Sequence, residues 1–159
     1  RPPRSTLFPY TTLFRSYNRA FFEADIEQLE KGRFAPISIV IADLDGLKEA
    51  NDSFGHDAGD GLIRAAADLL REIFRAGDVI ARIGGDEFAV ILTGVGAELL
   101  ETIMLRARQI ADEDHLSEDG LKVSFSMGSA TTASPSRLQD AIKAADMAMY
   151  QDKRARKSK

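Results

Sequence analysis

The sequence predicts an α+β fold in which helices pack on one mixed sheet. Three features predict it. Apolar helical spacings alternate along the chain with β-branched runs. One tight hairpin, Val79–Ile83 and Phe88–Leu92 joined through Gly84–Glu87, supplies an antiparallel pair. The run Pro36–Ala42 is apolar almost throughout, as a strand covered on both faces is.

The elements follow in order. Tyr17–Lys31 sets Phe21, Phe22, Ile26 and Leu29 at helical spacing and stops at Gly32. Pro36–Ala42 then runs into Asp43-Leu44-Asp45, so a buried strand delivers carboxylates at its C-terminal end. Gly46–Phe54 reads as a short helix or turn, and Gly55–Asp60 as a loop. Gly61–Arg75 is a helix with Leu62, Ala66, Leu69, Leu70 and Ile73 inward. In the hairpin, the two glycines are expected to supply the positive φ that a tight turn needs. Ala97–Asp114 is a helix, Leu121–Thr131 a strand, and Ser136 to about Arg156 a final helix. Phe54 and Phe88 are expected in the core. There is no internal repeat and no second domain.

The first 16 residues stand apart. They hold three of the five prolines, and Thr6–Ser16 follows neither helical nor strand periodicity. This stretch looks like a translated sequencing adapter joined in frame, the other reading being an interdomain linker. The domain is therefore expected over 17–159, with little fixed structure before Tyr17.

Composition excludes several classes. At 159 residues and 44% hydrophobic, the chain can bury the core of one ordinary domain. A net charge of −4 argues against broad nucleic-acid binding. The absence of cysteine rules out disulfides and thiolate metal sites, and fits a reducing, cytoplasmic setting. No apolar stretch approaches the roughly 20 residues that span a bilayer, so any membrane anchor of a parent protein belongs to regions N-terminal to this domain.

Chemistry concentrates at two places. A hairpin does not require adjacent carboxylates at its tip, yet Asp86 and Glu87 stand there, and Asp43 and Asp45 end the buried strand. If the strands are neighbours, these groups converge into oxygen ligands for Mg²⁺ or Mn²⁺ that leave positions open for phosphates. Backbone N–H groups of Asp45-Gly46-Leu47-Lys48, with the Lys48 charge, suit a triphosphate. Taken without the hairpin, Asp43 and Asp45 are equally readable as caps of the next helix.

With these residues in view, the chain resembles the GGDEF family, the diguanylate cyclases. The resemblance runs from about Tyr17 to Lys157 and rests on five ordered blocks: Asp43–Lys48, Asn51–Asp60, Arg82–Phe88, Ser126–Gly128 and Ala145–Tyr150. It implies a nucleotide-cyclase or polymerase-palm-like, ferredoxin-like sheet surrounded by helices, and conversion of two GTP into cyclic di-GMP and two pyrophosphates. It implies that Asp43, Asp86 and the Leu44 carbonyl bind the metal, with Asp86 also accepting the 3′-hydroxyl proton and Glu87 beside it. Lys48 would stabilise charge on the phosphates, and Lys153 and Lys157 would reach the triphosphate. Asn51 and Asp60 would read the guanine edge, with His56 also at the substrate; a carboxylate accepts the N1–H and N2–H pair that adenine lacks. Standing alone, Asn51 reads equally as a helix C-cap and His56 as a loop hydrogen-bonder. Arg82 is left between a phosphate and a carboxylate.

The resemblance further implies a product-inhibition site at Arg75-Ala76-Gly77-Asp78, with Val79–Ile83 between it and Gly84 and with Arg106 as a second arm. An ordinary helix-end salt bridge is the competing reading. It also implies a homodimer in which each subunit presents one GTP, and a sensory domain upstream in the parent protein. A silent domain that only binds GTP or cyclic di-GMP is the alternative function.

Three departures from the family pattern matter. The opening Asp-x-Leu-Thr-Gly-Leu block should fall at Thr11–Ser16, where the adapter-like stretch lies. Leu47 stands for the usual phenylalanine before Lys48. The ending Lys-x-x-Gly-Arg reads Lys153-Arg154-Ala155-Arg156-Lys157, which exchanges a bidentate fork for a point charge at 157.

Overall fold

The computed structural model describes residues 16–159; apart from Ser16, the expectation for residues 1–16 lies outside them. The elements are β1 (Tyr17–Asn18), α1 (Arg19–Lys31), β2 (Ile37–Leu44), α2 (Leu47–Phe54), α3 (His56–Ile73), β3 (Val79–Arg82), β4 (Glu87–Thr93), α4 (Ala97–Asp112), β5 (Phe125–Thr132), a 3₁₀ turn (Pro135–Arg137) and α5 (Leu138–Lys157). They form one five-stranded sheet in the order β1-β3-β4-β2-β5. Only the β1–β3 pair is parallel, so the sheet is mixed as the sequence predicts.

β2 is buried along its whole length because helices cover both faces of the sheet. Its side chains alternate between two cores. Val40, Ala42 and Leu44 pack with Leu62, Leu70 and Met104 on the α3–α4 side. Ile37, Ile39 and Ile41 pack with Phe22, Ile26, Leu138 and Met149 on the α1–α5 side. Phe88 and Phe125 are fully buried and meet edge to face, their centroids 6.2 Å apart. Among the described residues, no helix is long and apolar enough to cross a membrane.

Four local expectations change. Gly55–Asp60 is not a loop: only Gly55 breaks the chain, with φ of +88°, and α3 starts at His56. Gly59 lies inside that helix where a Cβ would run into the Asn51 side chain, so it marks a close approach rather than a turn. Phe54, expected in the core, is 66% exposed at the end of α2. Tyr17–Asn18 form a short strand before α1, whose first turn Asn18 caps by accepting from Phe21 N–H at 2.9 Å. β5 begins at Phe125; the preceding residues only bridge, Leu116 against Lys122.

The last two sequence blocks prove to be halves of one contact. α5 lies so close over β5 that a Cβ on Gly128 would overlap the Met149 N–H group and the Ala145 carbonyl. That approach fixes the C-terminal half of α5 over the end of β2. Gly128→Ala should therefore lower stability by roughly 1–3 kcal/mol or more, read as a fall in the midpoint of urea unfolding. An unchanged midpoint would mean that α5 can shift without loss.

Candidate active site

Register decides the site. β2 and β4 pair antiparallel with Asp43 opposite Glu87, so the strand end and the hairpin tip meet as the sequence requires. Leu44 N–H donates to the Asp86 carbonyl at 2.7 Å, tying the tip to β2. Arg82 closes the tip from behind: its Nε and Nη2 donate to the Gly85 carbonyl at 3.2 and 2.9 Å, and Nε also reaches the Gly84 carbonyl at 3.1 Å. Among the described residues Arg82 therefore holds backbone rather than a carboxylate.

The hairpin glycines serve a different purpose from the one expected. The described glycines with positive φ are Gly46, Gly55, Gly94 and Gly120, not Gly84 or Gly85. At Gly84 a Cβ would crowd Glu87 Oε2 at 3.1 Å, while at Gly85 it would meet nothing within 4 Å. The first glycine admits the Glu87 carboxylate; the second leaves the tip open. Positive φ is instead used at Gly46, at +77°, where the chain turns from β2 into α2.

A cleft of about 920 Å³ opens beside the tip. Asp43, Leu44, Asp86, Lys48, Lys153 and Lys157 all line it, with Asp45, Arg108, Asp112, Asp152 and Arg156. Glu87 stands behind Asp86 and does not line it. Asp45 is committed to the protein: Ser124 Oγ and Ser126 Oγ donate to its two oxygens at 2.9 and 3.0 Å. Its role is to hold the β2–α2 turn against β5.

Charge crowding marks the centre. Asp43 is 5% exposed, and burial, reinforced by Asp86 and Asp45, pushes its carboxyl above the ordinary carboxylate range despite the Lys153 contact. Burial also raises Glu87, with Asp146, Asp43 and Asp86 adding to it. Lys153 Nζ donates to Asp43 Oδ1 at 2.9 Å, and that bond raises the lysine. Among the described residues no three Asp, Glu or His side chains converge into a closed metal cage. The donors that face the cleft are the carboxylates of Asp43 and Asp86 with Leu44 beside them, a hard-oxygen set whose repulsion a divalent cation would relieve.

The remaining expected residues lie elsewhere. Asn51 sits on α2 with its amide against Gly59 of α3, next to Asp60; His56 opens α3, and both His56 and Asp60 are exposed. Arg75 Nε donates to Asp78 Oδ1 at 2.9 Å, and Nη2 donates to the Thr93 carbonyl at 2.8 Å, so the helix-end salt bridge is present. The Arg75 side chain stays 59% exposed over a buried Asp78, and Arg106 is exposed on α4. Sequence reasoning missed Arg108, Asp112, Asp152 and Arg156 on the cleft wall. The i,i+4 spacing of Asp152 and Arg156 was a legible signal; Arg108 had none.

Residues 11–159 match the family model described as "Diguanylate cyclase, GGDEF domain". The probable diguanylate cyclase DgcC of Escherichia coli K12 is 38% identical over 120 residues, covering 74% of this chain and 32% of the relative. Diguanylate cyclase A of Treponema denticola is 31% identical over 120 residues, with the same shares of 74% and 32%. The chain thus spans about a third of the length of these curated relatives. The solved GGDEF domain of Caulobacter crescentus DgcB, in complex with c-di-GMP, superposes with a TM-score of 0.74 at 26% identity, covering 90% of this chain and 88% of that one. The active GGEEF domain of a Vibrio cholerae diguanylate cyclase gives a TM-score of 0.72 at 26% identity, covering 87% and 92%.

The raised Asp43 carboxyl has a consequence for stability. A carboxyl whose folded-state pKa lies above its unfolded value of 3.8 favours folding while protonated, and that contribution is lost as pH rises through the folded pKa. At neutral pH, Asp43→Asn should therefore stabilise the metal-free protein by on the order of 1 kcal/mol, the Asn oxygen still accepting from Lys153. Thermal melts from pH 4 to 8 should show wild type losing ground to the variant as pH rises. A variant less stable throughout would contradict the assignment.

Proposed function

Because the chain belongs to the diguanylate cyclase, GGDEF domain family, we propose that it condenses two GTP into cyclic di-GMP and two pyrophosphates. The observation that carries this reading is the register that sets Asp43 opposite Glu87 and beside Asp86, at a cleft that Lys48, Lys153 and Lys157 also line. The 3′ oxygen of one GTP attacks the α-phosphorus of the other, a phosphodiester forms, and the bond to pyrophosphate breaks. Asp86 accepts the hydroxyl proton, and Glu87 keeps the local field negative. Asp43, Asp86 and the Leu44 carbonyl would hold Mg²⁺ or Mn²⁺, which when bound supplies charge neutralisation at phosphorus.

Lys48 stabilises charge on the phosphates from the start of α2, and Lys153 and Lys157 from the end of α5. Lys153 exchanges its bond to Asp43 for phosphate oxygens when the cleft is filled. Asn51 and Asp60 read guanine, with His56 alongside; the seat of Asn51 on Gly59 supports this by fixing one of the two readers against the helix that carries the other. Each chain has one such cleft among its described residues, so a homodimer brings the two GTP together. An upstream sensory domain in the parent protein would set when that happens, with this domain in the cytoplasm. Arg75 and Asp78, with Arg106, form the product-inhibition site; the exposed guanidinium over a buried carboxylate supports a site that a guanine edge or phosphate can reach.

Incubation with GTP and Mg²⁺ should yield cyclic di-GMP, and Asp86→Ala should cut the rate at least roughly a hundredfold. Undiminished product from that variant would sink the catalytic assignment, and a wild type that binds GTP without turning it over would favour a silent sensor. Arg75→Ala should raise the cyclic di-GMP concentration needed for half-inhibition by about tenfold while turnover persists. Unaltered inhibition would reduce Arg75–Asp78 to a helix-end salt bridge.

A further inference from the structure

The last turns of α5 carry a charge that no role above uses. Where the family pattern ends Lys-x-x-Gly-Arg, this chain has Arg156 in the glycine's place and Lys157 in the arginine's. Spacings of three and four residues put Lys153, Arg156 and Lys157 on one helix face. All three line the cleft with Asp43 and Asp86, and Arg154 does not.

Arg156 is held rather than loose. Its Nε donates to Asp152 Oδ2 at 3.3 Å, and Nη2 lies 3.6 Å from Asp112 Oδ1 on α4. Asp152 is anchored in turn: Met127 N–H donates to Oδ2 at 2.8 Å, and Arg108 Nη1 to Oδ1 at 3.1 Å. Among the described residues Nη1 of Arg156 has no hydrogen-bond partner, and the side chain is 32% exposed. A bracketed guanidinium with a free edge in a cleft is pre-organised for an anion, since little side-chain entropy is left to lose.

We infer that Arg156 binds the terminal phosphates of the nucleotide and that Asp152 is its positioning residue. The arginine fork absent at position 157 is thereby restored one residue earlier and from a different angle. The inference rests on the GTP reading above and extends it to a residue outside the family pattern. A plain surface network of Arg156, Asp152 and Asp112 would also make these ion pairs, but it would be indifferent to the number of phosphates on a ligand.

The test is the affinity of GTP, GMP and inorganic tripolyphosphate, each with Mg²⁺, for wild type, Arg156→Ala and Arg156→Lys. Arg156→Ala should bind GTP and tripolyphosphate about tenfold more weakly and GMP unchanged, with Arg156→Lys recovering part of the loss. GTP affinity unchanged in Arg156→Ala overturns the assignment. So does an equal loss for GTP and GMP, which would make Arg156 a residue that acts through the fold. A wild type that binds tripolyphosphate in an Arg156-dependent way, but neither nucleotide, overturns the GTP reading and leaves a polyphosphate site. A wild type that binds none of the three overturns both.

Discussion

The Leu44 N–H bond to the Asp86 carbonyl is the contact on which the site depends. It extends the β2–β4 ladder by one step beyond the Asp43–Glu87 pair and so brings a turn residue under the control of a buried strand. Without it, Asp86 would ride on a four-residue connection held only within the hairpin, by Arg82 and by the Ile83 and Gly84 N–H bonds to the Glu87 carbonyl. Slippage by one residue would turn Asp43 from the α5 face, where Lys153 meets it, to the α3–α4 core. Full burial of β2 on both faces makes that slip prohibitive, because every Ile and Val would change sides with it. The precision of the carboxylates is thus borrowed from the hydrophobic pattern.

That precision carries an electrostatic cost. Asp43 and Glu87 are both pushed toward their protonated forms by burial and by neighbouring carboxylates, Asp86 and Asp45 at Asp43 and Asp146, Asp43 and Asp86 at Glu87, and Lys153 offsets only part of this. The fold therefore holds strained charge at the place where chemistry is proposed, as catalytic sites commonly do. The cleft wall shows the same economy. Acidic and basic groups alternate along it, so a polyanion entering with its cation can replace one set of internal partners by another.

Much of this was legible in the sequence. The near-continuous apolar run Pro36–Ala42, the helical spacing of Leu62, Ala66, Leu69 and Ile73, and the hairpin with its paired acids gave the sheet and its covering helices, and made Asp43 and Asp86 meet if their strands were neighbours. What was misread shares a cause: glycine was taken as punctuation. Gly59 lies inside a helix and Gly84 turns without positive φ, each where a side chain comes too close for a Cβ, and closeness between segments is invisible to a local pattern. Phe54 failed for the complementary reason, since a helical position says nothing of which neighbour is absent. Arg108 could not be found because its partner Asp152 lies 44 residues away.

The hairpin that carries Asp86 is clamped by an arginine at each end. Arg82 grips the glycine carbonyls at the tip, and Arg75 grips the Thr93 carbonyl and Asp78 at the base. These clamps decide how far the ion pair at Arg75 can be read as merely structural. The Arg75 donors that close the hairpin include those a guanine edge or phosphate would take, so occupancy of Arg75 by a ligand has to exchange with Asp78 or with the Thr93 carbonyl. The exposed side of that exchange lies on the guanidinium, while Asp78 is buried and stays. A ligand at the proposed site would therefore act first on the end of β4, the strand whose other end begins at Glu87. In the proposed product-inhibition site, the salt bridge and the ligand contact would thus draw on the same guanidinium.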